Sequence, residues 1–81
     1  VLIAFLTIPP SEEPYQLSLV DKLSSTQYKN WQELGEFPCE VFDARSIATL
    51  EDLLYTKGYA VTSEWRMNPE WVEVDLKEFQ Q

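Results

Sequence analysis

The chain has 81 residues, which makes one small domain over positions 1–81 with a core of modest margin and leaves no room for a multidomain enzyme. Hydrophobic residues at 44%, charged residues at 25% and only two glycines fit an ordinary folded chain and exclude low-complexity disorder. Fourteen acidic residues against six basic ones give a net charge of -8, which disfavours nucleic acid and anionic lipid as partners. The same excess favours a basic protein surface, with a solubilising exterior as the plainer alternative.

Histidine is absent and Cys39 is the single cysteine, so triads, Cys-His dyads, His-ligated zinc and an internal disulfide are all excluded. That usage suits a reducing compartment. Cys39, between Pro38 and Glu40 with no cation beside it, reads as a buried structural thiol. No cofactor or metal is implied, and Gly35 and Gly58 alone cannot build a phosphate loop. Of the paired acids, Glu12 and Glu13 fall in a connector and Glu51 and Asp52 suit a helix N-terminus, so neither pair calls for a catalytic role.

In chain order, residues 1–8 are the one strongly apolar run. They are too few for the roughly 20 residues that cross a bilayer. They lack the basic flank of a signal peptide, and Pro9-Pro10 follows where a cleavage site would fall, so the run reads as a buried central strand. The first residue is valine, which leaves a processed terminus open. Residues 9–14 form a proline-dense connector. Tyr15 to Leu23 is either an edge strand, from the alternation of Tyr15, Leu17 and Leu19, or a helix, from Leu19, Val20 and Leu23.

Ser24-Ser25-Thr26-Gln27 matches a capping box, with Leu23 and Tyr28 at staple positions. It predicts a helix from about Ser25 to Leu34 that shows Tyr28, Trp31 and Leu34 on one side and closes at Gly35. Phe37 to Ala44 reads as a central strand, with Cys39 and Val41 on one face and Glu40 and Phe42 on the other. A second helix follows from Ser46 or Thr49 to Lys57, with the stripe Ile47, Leu50, Leu53 and Leu54. Glu51 and Asp52 fall in its first turn, Lys57 in its last, and Gly58 caps it.

Tyr59 to Met67 and Trp71 to Leu76 read as two strands joined by a turn with Pro69 and Glu70 at its centre, which pairs Asn68 with Trp71. That register sets Met67 against Val72 and Trp65 against Val74 on the buried face. Outside, it sets Arg66 against Glu73, an opposite-charge pair, and Glu64 against Asp75, a like-charge pair. Either the register differs or an acidic site is tolerated there. The expected fold is α+β: a small, mainly antiparallel sheet with two helices packed on one face and the other face partly solvated.

Trp71 lies beside the turn on the outer face, which makes Trp71, Glu64, Asp75, Arg66 and Glu73 a candidate protein-contact group. The alternative is that Trp71 stacks on Arg66 or on the turn within the molecule.

The blocks Glu36-Phe-Pro-Cys-Glu-Val-Phe-Asp-Ala-Arg-Ser46, Leu50-Glu-Asp-Leu-Leu-Tyr-Thr-Lys-Gly-Tyr59 and Glu64-Trp-Arg-Met-Asn-Pro-Glu-Trp-Val-Glu-Val74 resemble the CHLORORESPIRATORY REDUCTION 7 family of cyanobacteria and chloroplasts. The likeness covers most of the chain, least its first fifteen residues, and carries no catalytic motif. It implies a non-enzymatic factor that supports assembly or stable accumulation of the photosynthetic NAD(P)H dehydrogenase-like complex, which serves cyclic electron flow and chlororespiration. The implied partner is a hydrophilic-arm subunit or assembly intermediate, met in cyanobacterial cytoplasm or chloroplast stroma without membrane insertion. The lack of an Arg- and Ser-rich extension favours the bacterial version or a mature fragment. The resemblance carries over no site residues. The competing readings are an acidic module that occupies a basic surface, such as a nucleic-acid site, and a carboxylate-based small enzyme.

Overall fold

The computed structural model describes residues 1–10, 13–37 and 44–79. The elements in order are β1 (Leu2–Thr7), β2 (Tyr15–Lys22), β3 (Tyr28–Phe37), α1 (Ala44–Thr56), β4 (Tyr59–Val61), β5 (Arg66–Met67) and β6 (Trp71–Glu78). All pairings are antiparallel, in the order β3-β2-β1-β6-β4, with β5 also on β6. The apolar first run is central as expected, and Tyr15 to Lys22 resolves as strand.

The expectation of two helices on a sheet is overturned: among the described residues one helix packs on a six-stranded sheet. The segment read as the first helix is β3, and its capping-box residues instead make the β2–β3 connection. There the Leu23 and Ser24 amides donate to the Gln27 carbonyl, and the Thr26 amide to Ser24 Oγ. The helical spacing of Tyr28 and Trp31 has a strand explanation. Side chains on a strand alternate, so residues three apart lie on opposite faces unless a bulge intervenes. One does, because the pairing slips between Leu19↔Gln32 and Asp21↔Lys29. Asn30 sits in the slip at φ 58°, a left-handed conformation asparagine tolerates, and donates from Nδ2 to Asp21 Oδ2 at 2.8 Å. A second slip leaves Leu34 unpaired before Gly35, whose φ of 131° serves the bulge rather than a helix end.

The later helix is longer at its start than expected. Glu51 and Asp52 therefore fall in mid-helix, the first turn holds no acid and the last no base. Gly58, at φ 98°, does close it, with the Gly58 amide donating to the Tyr55 carbonyl. Leu50 and Leu54 are fully buried against Ala4, Leu6, Leu17, Leu19, Val72 and Val74, each worth about 2 kcal/mol of transfer free energy. Ile47 and Leu53 are half-buried at the margin. The strand expected from Phe37 to Ala44, with Cys39, falls mostly on 38–43, outside the described residues.

The turn before β6 is as read, with Asn68 N–H donating to the Trp71 carbonyl and Arg66↔Glu73 and Met67↔Val72 in register. Beyond it the expected strand splits. Between Val61↔Leu76 and Arg66↔Glu73, the four residues 62–65 face only 74 and 75, so a two-residue excess bulges out. Thr62 N–H donates to the Asp75 carbonyl and Asp75 N–H to Ser63 Oγ, which removes Glu64 from Asp75 and Trp65 from a ladder position opposite Val74. Trp65 instead packs partly buried against the core and donates Nε1–H to Glu51 Oε2 at 2.9 Å, tying the bulge to α1. Met67, expected inside, is exposed.

Candidate functional site: the open face of the sheet

Alternation places Leu2, Ala4 and Leu6 under α1, and therefore Ile3, Phe5 and Thr7 on the opposite face. Register then builds that face in rows across the strands. One row is Trp71, Thr7, Gln16 and Glu36; the next is Glu73, Phe5, Ser18 and Glu33; the next begins Asp75, Ile3 and Val20. Lys22 and Tyr28 pair at the far end. No described element covers this face.

Its own side chains roof it. Phe5 stacks on Trp71 with centroids 5.7 Å apart and ring planes 11° from parallel, and meets Tyr28 and Trp31 edge-on at 5.8 and 5.0 Å. Each such pair adds about 0.5–1.5 kcal/mol beyond area burial. The bulge at Asn30 makes this possible, since it brings Tyr28 and Trp31 to the same side. Trp31 is the outermost ring, 55% exposed.

Beside the rings lies Glu73, with its side chain only 3% exposed. Its Oε2 accepts from Lys22 Nζ at 2.8 Å and from Arg66 Nη2 and Nε at 2.8 and 3.2 Å; its Oε1 accepts from Trp71 Nε1 at 3.0 Å and Tyr28 Oη at 3.2 Å. Burial pushes the Glu73 carboxyl up, but hydrogen bonds from Lys22, Arg66 and Trp71 outweigh it and bring the pKa down from 4.5 to about 2. Arg66 also donates to Asp75 Oδ1 at 2.8 Å. Its hydrogen bonds to Asp75 and Glu73 hold the guanidinium pKa above its ordinary value, as the bond to Glu73 does for Lys22.

Four of the five contact candidates therefore meet in one network. Trp71, Arg66, Glu73 and Asp75 are joined, whereas Glu64 stands exposed outside it. The expected like-charge pair does not exist, and Trp71 stacks on Phe5 rather than on Arg66 or the turn. The sequence reading missed Lys22, Tyr28, Trp31 and Phe5. Lys22 and Glu73 are 51 positions apart, beyond any local pattern. The usable signal was an acid between Val72 and Val74 in an apolar strand, which needs partners if buried.

A carboxylate this acidic, with both oxygens occupied, is a poor proton acceptor at neutral pH. What the arrangement does is hold Trp71 and Tyr28 in fixed orientations on an uncovered surface. Among the described residues no group of three or more Cys, Asp or Glu could hold a metal ion, and no helix is long and apolar enough to cross a membrane. No protein-family model, curated protein or solved structure matches the chain.

Proposed function

We propose that the chain is a non-enzymatic binding factor that supports assembly or stable accumulation of the photosynthetic NAD(P)H dehydrogenase-like complex, through contact with a basic surface of a hydrophilic subunit or assembly intermediate. The sequence blocks within Glu36 to Val74 support the choice of complex. The observation that carries the contact role is the uncovered sheet face, where Phe5, Tyr28, Trp31 and Trp71 are held in place around a satisfied buried carboxylate. Rigid aromatics on an open surface lose little entropy on docking, and tryptophan is enriched at binding hot spots.

Deleting the protein from its phototroph should lower the assembled complex and slow post-illumination plastoquinone reduction, with photosystem activity near normal. Trp31→Ser should reproduce much of that loss while the purified domain stays folded, and Asp52→Lys on exposed α1 surface should not. Full complex levels in the deletion strain would overturn the reading.

A further inference from the structure

The open face is not uniform. Its cations, Lys22 and Arg66, sit toward one end and are both engaged by Glu73. The other end is the row Trp71, Thr7, Gln16 and Glu36, bounded by two proline segments. There a cleft of ≈ 550 Å³ lies between Pro9-Pro10 and Pro69-Glu70, with Phe5 and Trp71 in its lining. The Ile8 amide donates to the Glu70 carbonyl at 2.9 Å and ties the two walls together. A second cleft of ≈ 410 Å³ shares Pro9 and Pro10 and continues past Gln16 to Glu13 and Glu36.

Two features say what would fill this channel. Among the described residues every charged group lining the two clefts is an acid: Glu70 in one, Glu13 and Glu36 in the other. Independently, Gln16 Oε1 is buried and accepts no hydrogen bond among the described residues, while its Nε2 donates to Glu36 Oε1 at 3.4 Å. A buried acceptor without a donor is costly, and a donor-bearing ligand that turns the Gln16 amide outward toward the cleft would relieve it. An aromatic wall, carboxylates at both ends and an orphan acceptor between them match a guanidinium, which stacks flat and donates in a fork.

We propose that this channel receives an extended, arginine-bearing segment of a protein partner, with one guanidinium over Trp71 near Glu70 and a second donor group at Gln16 and Glu36. This rests on the binding role proposed above and specifies its partner's chemistry. From β6 to β3 the channel crosses three strand spacings, about 14 Å, the reach of about four extended residues. A partner whose docking segment carries two basic residues four positions apart, on one side of the extended chain, fits that length.

The test uses the whole chain and a capped hexapeptide with two arginines four positions apart, followed by amide and indole NMR shifts at low salt. Binding with a Kd on the order of 1 mM is expected, with shifts confined to the Trp71 indole, the Gln16 side-chain amide and the Ile8 and Glu70 amides beside the prolines. Glu36→Gln with Glu70→Gln should weaken binding about fivefold or more, whereas the equal charge change Asp52→Asn with Glu78→Gln should weaken it less than about twofold. The citrulline peptide should bind no better than background. Equal loss in both double variants, shifts spread over the surface, or preference for an uncharged proline-rich peptide would each overturn the proposal. A peptide that binds here while the deletion strain keeps full complex levels would leave the channel standing and remove the assembly role; a deletion defect with no peptide binding would do the reverse.

Discussion

The two faces of the sheet are closed by different physics. Under α1 the closure is apolar and redundant: Leu50 and Leu54 sit among several aliphatic neighbours, and no single contact decides the outcome. On the open face the closure is polar and centred, because Lys22, Tyr28, Arg66 and Trp71 all converge on the one carboxylate of Glu73. The first face gains from any area removed from water. The second depends on every donor and acceptor being matched, since an unmatched buried group costs as much as several good contacts contribute. A chain of 81 residues with one described helix can thereby keep a face uncovered and still ordered.

The largest break in this comparison should come from the covered face. Leu54→Ala should destabilise by about 2–5 kcal/mol in chemical denaturation, because the site is fully buried between helix and sheet. Next is Glu73→Ala, which strands two cations and two neutral donors. Since Lys22 and Arg66 are 24% and 39% exposed and can turn to water, its cost should be about 2–3 kcal/mol, with the Trp71 indole shift moved.

The same carboxylate predicts a pH dependence that the apolar face cannot have. A folded pKa of about 2 against an unfolded value near 4.5 means the stabilisation is complete above the unfolded pKa and is lost as pH falls through the folded one. Wild type should lose about 2–3 kcal/mol between pH 5 and pH 2 through this group, and Glu73→Ala should flatten that part of the curve. Smallest is Asp75→Lys. The expected like-charge register made it stabilising; the observed Arg66–Asp75 bond at 2.8 Å reverses the sign, to a loss of about 0.5–1 kcal/mol that shrinks with added salt.

How much was legible in the sequence follows the same division. The helix carrying Leu50 and Leu54 and the Asn68–Trp71 turn were readable because periodicity and turn chemistry act within a few residues. Arg66 opposite Glu73 followed from that turn. The strand from Tyr28 to Phe37 was misread because its bulges imitate helical spacing, and the left-handed Asn30 that makes the first bulge has no signature in its neighbours. The two-residue excess at 62–65 was equally hidden, so Glu64 and Trp65 were placed in a ladder they do not join. The site itself was half visible: Trp71, Arg66, Glu73 and Asp75 lie within ten positions, but Lys22, Tyr28 and Trp31 reach them only through the sheet order.

The bulges in β3 also bear on what the chain does in a crowded solution. Among the described strands the ten-residue β3 ends the sheet, and a strand in that place is a template on which a second molecule could add its own strand. Recruitment of that kind needs a regular run of outward amides and carbonyls. Here the paired runs on β3 are only Tyr28–Lys29, Gln32–Glu33 and Gly35–Phe37. Such short runs leave an incoming strand with two or three residues of register before the spacing fails. The irregularity that aims Trp31 across the open face therefore also guards the longest border that no described strand pairs against fibril-like growth.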